Sequence, residues 1–161
     1  MLTISRGISA KDRDTIEAIL RTTGFFYEFE IDIALELADE TIKKGEDGSG
    51  FSWMKITDND ELVAFAMYGK NELTTHSWEL YWIALHNNSR NKKLGSKLLK
   101  AVEEDVKKVG GKILWIETSG RPLYTPTEAF YKRNGYTLQA SLKDFYAADD
   151  PKQIYAKIFI Y

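Results

Sequence analysis

The sequence of 161 residues contains no cysteine and only three prolines. Without cysteine the chain forms no disulfide, offers no thiolate to a metal and has no cysteine nucleophile, which is typical of a reducing compartment. The formal net charge of -2 gives no overall attraction for nucleic acid. No long apolar run occurs, so we expect neither a signal peptide nor a membrane span and take the cytoplasm as the default location.

What the chain does contain is typical of a globular domain with a substantial core. Hydrophobic residues make up 43% of it, charged residues 29% and aromatic residues 13%. This length suits one domain, and the aromatic content argues against disorder. Because we find no repeat, low-complexity tract or linker, we predict a single α+β domain over residues 1–161.

The hydrophobic pattern predicts seven strands and four helices. The predicted strands are Leu2–Arg6, Phe51–Thr57, Glu61–Tyr68, Ser77–Leu85, Lys112–Thr118, Tyr136–Ala140 and Ile154–Ile160. The predicted helices are Ala10–Arg21, Ile31–Lys44, Thr127–Arg133 and one that follows a basic turn and ends at Val109. Gly45–Gly50 and Ser119–Pro126 are predicted loops, and Asp149–Pro151 is a predicted turn between the last two strands.

The basic turn Arg90-Asn91-Lys92-Lys93-Leu94-Gly95-Ser96 joins the apolar run Trp78–Leu85 to an amphipathic helical pattern. The first turn of a helix has unpaired N–H groups and a positive dipole end, which bind phosphate. Gly95 allows the backbone to approach a ligand closely, and three basic side chains add positive charge. The turn therefore predicts a pyrophosphate site, although basic residues in such a turn also occur for solubility alone.

Three features of the sequence follow one another in a set order. Glu79 lies eleven residues before Arg90, and Arg90 and Gly95 bound a six-residue motif at the basic turn. Further along, Ala129–Tyr136 reads AFYKRNGY. With the predicted order of helices and strands, these features resemble the GCN5-related N-acetyltransferase (GNAT) superfamily over nearly the whole chain.

The resemblance implies the GNAT fold, a mixed central sheet of about seven strands with a splay between strands 4 and 5, flanked by about four helices. It also implies acetyl-CoA as the acetyl donor. Two positions depart from the family pattern. Lys93 replaces the middle Gly of the acetyl-CoA motif Gln/Arg-x-x-Gly-x-Gly/Ala, and Tyr124 replaces an Asn that many members carry seven residues before the Tyr of FYxxxGF/Y.

The donor site implied by the resemblance has three parts. Backbone groups of Trp82, Ile83, Ala84 and Leu85 would bind the pantetheine arm and the thioester carbonyl, because an unpaired strand edge offers free donors. Amides of Arg90–Ser96 would hold the pyrophosphate. Tyr124 and Phe130 would lie beside the cofactor.

The catalytic residues implied by the resemblance are a glutamate base and a tyrosine acid. The base is Glu79, which has the family offset, or Glu117, and the apolar strands around them suit a general base. Tyr131 would protonate the leaving thiolate. The alternative is that each glutamate faces solvent or pairs with a surface lysine and that Tyr131 is a core aromatic. His76 and His86 are interpreted as surface residues.

The acceptor side implied by the resemblance is aromatic and acidic. It comprises Phe25, Phe26, Tyr27, Glu28, Phe29, Glu30 and Asp32, extended by Asp144, Phe145 and Tyr146. Aromatic faces and carboxylates suit a cation. We therefore predict a small cationic amine or amino-acid-like acceptor, with Phe26, Tyr27, Glu28 and Glu30 as substrate-binding residues. The alternative is that the rings are core and the acids merely solvated.

Other functions stay open at this point. An acetyltransferase could act on a protein lysine or N-terminus, and a non-catalytic sensor could bind acyl-CoA without turnover. A nucleotide-binding module is disfavoured because neither Gly-x-x-x-x-Gly-Lys-Ser/Thr nor Gly-x-Gly-x-x-Gly occurs. We predict no metal site, no nucleic-acid partner and no membrane partner. A homodimer is left open because family members often dimerise.

Overall fold

The structure is a computed structural model that describes residues 1–89 and 93–160. Its strands are β1 (Leu2–Arg6), β2 (Ser52–Asp58), β3 (Glu61–Lys70), β4 (Ser77–Leu85), β5 (Ile113–Ser119), β6 (Thr137–Ala147) and β7 (Asp150–Ile158). Its α-helices are α1 (Arg13–Thr23), α2 (Glu28–Ser49), α3 (Leu94–Lys108) and α4 (Thr125–Arg133). Single 3-10 turns occur at Ala10–Asp12, Asn87–Ser89 and Pro122–Tyr124.

All of these strands belong to one sheet, in the order β1-β2-β3-β4-β5-β7-β6. The pair β4 and β5 is parallel, and the other neighbouring pairs are antiparallel. A parallel pair needs a crossover connection, and α3 supplies it. The predicted mixed sheet of seven strands with four helices is therefore confirmed.

The parallel pair is joined only along its first half. Ser77–Leu80 of β4 pairs with Ile113–Ile116 of β5, and beyond them the described residues of the two strands form no pairs with each other. Each strand continues to pair on its other side, β4 with β3 as far as Leu85 and β5 with β7 as far as Ser119. The predicted splay between strands 4 and 5 is thus present, and it begins after Leu80.

A β-bulge on β4 lies where the two strands separate. Met67 of β3 faces Trp82, whereas the next residue, Tyr68, faces Leu80. Tyr81 is therefore an extra residue on β4. Such a residue bends its strand and increases the local twist. The bulge accounts for the second half of β4 turning away from β5.

The two faces of the sheet are covered by different helices. Because side chains alternate along a strand, Ala64, Ala66 and Tyr68 of β3 face α3 while Phe65 and Met67 face α1 and α2. The α3 side buries Leu94, Leu98, Leu99, Val102 and Val106, at helical spacing. The α1 and α2 side buries Ile16, Ile19, Leu20, Ile31, Ala34, Leu35 and Ala38. The strands β2, β3 and β4 are thus covered by an apolar layer on both faces, and β4 borders the gap.

The second helix was predicted too short. It begins at Glu28, because the Tyr27 amide donates to the Glu30 carboxylate at 2.9 Å and so caps the first turn earlier than the apolar pattern indicates. The predicted loop Gly45–Gly50 is wrong. The chain bends at Gly45, whose φ is 78° and ψ 171°, and then continues as helix until Gly50 ends it in the left-handed region.

The last two strands were also misplaced. β6 extends to Ala147 rather than Ala140, and β7 begins at Asp150 rather than Ile154, so the predicted turn at Asp149–Pro151 lies partly within β7. The reason is that β6 is an edge strand exposed along nearly its whole length. A strand without a buried face has no apolar alternation to reveal it.

The helices α1 and α4 differ from prediction by one turn at most. The first turn predicted from Ala10 is a 3-10 turn, and α1 itself runs from Arg13 to Thr23. The helix α4 begins at Thr125 and has Pro126 in its first turn. A proline is tolerated there because the N–H groups of the first turn have no partner within the helix. Among the described residues, no helix is long and apolar enough to cross a membrane.

Candidate active site

A cleft of about 1270 Å³ opens where β4 and β5 separate. Its walls come from β4, β5, the first turns of α2 and α3, the helix α4 along its length, and the end of β6. Many of the sequence-predicted residues line it: Phe26, Tyr27, Glu30, Glu79, Trp82, Ile83, Ala84, Leu85, Lys93, Leu94, Gly95, Ser96, Glu117, Tyr124, Phe130 and Tyr131. Predicted residues that are far apart in sequence thus meet at one place.

The β4 wall of the cleft has a free backbone edge. Trp82–Leu85 pairs with β3 on one side and, within the part of the chain that the structure describes, has no strand partner on the side of β5. Backbone N–H and C=O groups require partners, so an edge of this kind is available to a ligand. The predicted pantetheine segment lies on this edge.

The first turn of α3 forms the next part of the wall. Lys93, Leu94, Gly95 and Ser96 line the cleft there. A Cβ on Gly95 would come within 3.1 Å of the Phe130 ring of α4, so this glycine lets α3 and α4 approach each other. The predicted pyrophosphate residues Arg90, Asn91 and Lys92 lie outside the described residues.

Tyr131 reaches the cleft from the interior of the protein. Only 5% of the residue is exposed, and its ring packs against those of Tyr136 and Tyr155, with centroids 6.0 and 6.1 Å away. Burial raises the pKa of the Tyr131 phenol above its ordinary value of 10.0, and the nearby Tyr124 adds to the shift. The phenol is therefore protonated at neutral pH and able to donate a hydrogen bond or a proton.

Tyr124, which stands where many GNAT members have Asn, joins two parts of the chain. Its hydroxyl donates to the Phe25 carbonyl at 3.2 Å, and the two rings stack with centroids 5.6 Å apart. The residue therefore fastens the connection between α1 and α2 to the turn before α4. Tyr124 lines the cleft, and its hydroxyl forms its hydrogen bond within the protein.

The two candidate bases have different surroundings. Glu79 is half-buried, and its carboxylate accepts a hydrogen bond from the Tyr81 hydroxyl at 3.0 Å. Burial, followed by the charge of Glu79, raises the pKa of Tyr81 to about 12, so Tyr81 remains a donor. Glu117 is exposed and forms an ion pair with Lys152 at 2.7 Å. Both glutamates line the cleft, but only Glu117 has a basic partner among the described residues.

The acceptor side is partly as predicted. Phe25, Phe26, Tyr27, Phe29, Glu30, Phe145 and Tyr146 line the cleft. Glu28 does not, because its carboxylate points to the outer surface and pairs with Arg21 at 2.8 Å. Asp32 and Asp144 are likewise absent from the cleft wall. The prediction of Glu28 as a substrate-binding residue therefore disagrees with its position.

Arg121 is a cleft residue that the sequence did not reveal. Its guanidinium lies over the rings of Tyr27 and Tyr124, 5.1 and 5.4 Å from their centroids, and donates to the Tyr27 hydroxyl. It also lies 3.5 Å from the carboxylate of the buried Asp150, which accepts a hydrogen bond from Ser119. These partners are far apart in sequence, so no local pattern could have identified the cluster.

Other predicted features can be placed as well. His76 is exposed and contacts Thr75, and the ring of His86 accepts a hydrogen bond from the Asn88 amide. Neither histidine lines the cleft. Within residues 1–89 and 93–160, no group of three or more metal-ligating side chains occurs.

The sequence matches the Acetyltransferase (GNAT) family over residues 15–136. The chain belongs to this family. A comparison with curated proteins finds no match.

Solved structures agree with the family. A protein from Desulfovibrio desulfuricans assigned to the GNAT family of acetyltransferases is 36% identical, with a TM-score of 0.95 over 98% of this acetyltransferase and 99% of that chain. An aminoglycoside 6′-N-acetyltransferase complexed with coenzyme A is 20% identical, with a TM-score of 0.76, and the match covers 99% of this chain and 98% of that chain. The ribosomal-protein-S18-alanine N-acetyltransferase from Escherichia coli is 19% identical, with a TM-score of 0.78, and the match covers 100% of this chain and 96% of that chain. At such identities the last two show the fold alone.

The departure at Lys93 leads to a prediction about stability. Lys93 precedes α3 with φ 57° and ψ 20°, a left-handed conformation that costs an L-residue about 1–2 kcal/mol. Glycine removes this strain at an entropic cost of about 0.5–1 kcal/mol. We expect Lys93→Gly to raise the free energy of unfolding by about 0.5–1 kcal/mol in a urea titration.

The matched control is Lys97→Gly, one turn further along α3. There the same change should lower the free energy of unfolding by about 1 kcal/mol, because glycine is unfavourable inside a helix. Equal destabilisation by both substitutions would contradict the assignment of strain to Lys93.

Proposed function

We propose that this chain transfers the acetyl group of acetyl-CoA to the primary amine of a small cationic or amino-acid-like metabolite. The observation that carries the proposal is that Glu79, Tyr131 and the free edge of β4 line one cleft at the separation of β4 from β5. Membership of the acetyltransferase family supports the type of reaction. The related fold crystallised with coenzyme A supports the donor.

The cleft fits a long, polyanionic thioester. It has an unpaired strand edge for the amide groups of a pantetheine arm and the start of a helix, with Lys93, for phosphate. Acetyl-CoA supplies an activated acyl group. The protein's part is to align that group along β4 and to bring an amine to it from the side of α2.

Glu79 is the better candidate for the general base. Protonation of Glu117 would break its 2.7 Å ion pair with Lys152. Among the described residues, Glu79 accepts a hydrogen bond only from the neutral Tyr81 hydroxyl. It can therefore take up a proton without losing an ion pair. In the proposed reaction Glu79 removes a proton from the acceptor ammonium, directly or through water.

Tyr131 is the proposed general acid. Its raised pKa keeps the phenol protonated, and its position on the cleft wall directs it towards a ligand on β4. The hydroxyl has no hydrogen bond with any other described residue, which leaves its proton available. In the proposed reaction Tyr131 gives this proton to the departing sulfur.

The acceptor side supports a cationic substrate. Four of its aromatic residues are between 48% and 63% exposed, namely Tyr27, Phe29, Phe145 and Tyr146. They are therefore not fully buried core residues, and exposed rings that line a cleft suit ligand binding. Four acids line the same cleft, and two of them are balanced, Glu117 by Lys152 and Asp150 by Arg121. Glu30 and Glu79 have no basic partner among the described residues, so they supply the negative charge of the acceptor end. Ring faces and carboxylates together favour an ammonium group.

Two further predictions belong to this proposal. The first is that residues 1–161 form one catalytic domain. The second is that the protein works in the cytoplasm, in agreement with its lack of cysteine.

The choice of base predicts unequal effects for the two glutamates. Acetyl transfer would be followed as release of free CoA thiol, across a panel of diamines, amino acids and aminoglycosides. We expect Glu79→Gln to lower kcat about 100-fold or more, because general-base catalysis typically contributes that much. Glu117→Gln, which makes the same chemical change across the cleft, should lower kcat by about threefold at most, since an exposed ion pair contributes little.

The reverse order of the two effects would assign the base to Glu117. If the protein bound acetyl-CoA but released no thiol with any amine of the panel, the proposed transferase activity would be wrong and a sensor would be supported.

The role of Tyr131 predicts a change in rate without a change in binding. We expect Tyr131→Phe to lower kcat about 100-fold while the calorimetric Kd for acetyl-CoA stays within about twofold, because only the proton donor is removed. The control is Tyr155→Phe, which removes a hydroxyl that donates to Glu128 at 2.6 Å instead of lining the cleft. It should affect stability more than kcat, and equal loss of kcat in both variants would contradict the acid role.

A further inference from the structure

A turn bound to β7 carries Arg121 at the acceptor end of the cleft. The Arg121 amide donates to the Ser119 hydroxyl at 3.1 Å, and the same hydroxyl donates to the Asp150 carboxylate. The Gly120 amide donates to the Pro151 carbonyl at 2.9 Å. A Cβ on Gly120 would come within 2.7 Å of the Pro151 ring, so this glycine lets the turn approach β7 closely. The backbone that carries Arg121 is therefore fixed against the sheet.

The guanidinium of Arg121 has unused hydrogen-bond donors. An arginine side chain carries five N–H donors and no acceptor. Among the described residues, Nη1 donates to the Tyr27 hydroxyl, whereas the buried Nε has no hydrogen-bond partner. The Asp150 carboxylate lies 3.5 Å from Nε, beyond the roughly 2.7–2.9 Å of a charge-assisted hydrogen bond. Asp150 thus supplies a counter-charge while the guanidinium keeps donors for a further acceptor.

Arg121 is the more accessible partner of this pair. Its side chain is 25% exposed, against 9% for Asp150, and it lies over the rings of Tyr27 and Tyr124 in the cleft wall. A ligand in the cleft therefore meets the guanidinium more readily than the carboxylate that balances it. The planar fork of an arginine matches a carboxylate through two parallel hydrogen bonds.

The negative side chains of the cleft lie along the same face of the sheet. Glu117 and Ser119 are two residues apart on β5, so they share a face and lie about 6.6 Å apart along the strand. Glu79 of β4 pairs with a β5 residue two positions before Glu117. Arg121 adjoins the other end of this row, through Asp150 and its hydrogen bond with Ser119. Glu79 and Arg121 thus lie towards opposite ends of one row of side chains.

We propose that the acceptor amine carries a carboxylate and that Arg121 binds this carboxylate. The inference rests on the proposed function and narrows its acceptor to an amino acid or an analogue with a free carboxylate. Glu30 and Glu79 attract the ammonium group, and Arg121 pairs with the carboxylate at the other end of the row. A diamine without a carboxylate would leave the spare donors of Arg121 covered and unpaired, which lowers affinity.

The test uses acceptors that differ only in the carboxylate. Ornithine is compared with putrescine, and lysine with cadaverine and with lysinamide, in which a neutral carboxamide replaces the carboxylate. Each further amino acid that is accepted is compared with its own carboxamide. Release of free CoA thiol from acetyl-CoA gives kcat/KM for each acceptor. We expect kcat/KM to be about tenfold higher or more for the member with the carboxylate, because hydrogen bonds between charged groups contribute on that scale.

The variant Arg121→Gln should bring the ratio of the two kcat/KM values close to one. The change should come from a higher KM for the carboxylated acceptor, with KM for its partner nearly unchanged. Arg121→Lys keeps the charge but loses the planar fork, so its ratio should lie in between. The ratio compares two acceptors on one protein, so a general loss of folding or rate does not alter it.

The matched control is Arg133→Gln. Arg133 is an exposed arginine that also lines the cleft, but it is the last residue of α4, whereas Arg121 precedes that helix. Its loss removes the same charge from the cleft and should keep the tenfold ratio.

Four outcomes would overturn the inference. Equal kcat/KM values within each pair, or a preference for the amine without the carboxylate, would do so and leave the proposed function intact. A ratio that survives Arg121→Gln would assign the carboxylate to another residue. Equal loss of the ratio in Arg133→Gln would show a general effect of charge in the cleft. Absence of thiol release with every amine would overturn the proposed function together with this inference.

Discussion

The pairing of β4 with β5 ends at Leu80 and Ile116, and the rest of the site depends on that interruption. The extra residue Tyr81 bends β4 away and leaves one of its edges without a strand partner. The same residue donates a hydrogen bond to Glu79, at the last paired stretch of the strand. A single irregularity thus opens the groove proposed for the donor and positions the carboxylate proposed as base.

The side of the sheet covered by α3 holds the proposed acid in a buried network of tyrosines. Tyr131 packs against Tyr136, and the Tyr136 hydroxyl donates to the buried Glu103 of α3. Tyr155 packs against Tyr131 as well and fastens α4 through Glu128. One buried network therefore positions the proposed general acid between α3, α4 and β7.

The sequence was informative wherever a strand or helix buries one face. β4 has the predicted bounds Ser77–Leu85, and α3 follows the apolar spacing that indicated it. It was uninformative where burial is absent, as in the exposed β6, and where contacts join distant segments, as for Arg121 between Tyr27 and Asp150. Glu28 was misjudged because its neighbours in sequence line the cleft while its own carboxylate turns outward to Arg21.

The central claim is that the free edge of β4 binds the acetyl donor, and amide hydrogen exchange tests it most directly. We expect saturating acetyl-CoA to slow exchange in the segment 81–85, because a ligand hydrogen-bonded to that edge removes its amides from water. ATP at the same concentration should have no such effect, and the distant β1 should stay unchanged with either ligand. Calorimetric binding of acetyl-CoA without slower exchange in this segment would contradict the account.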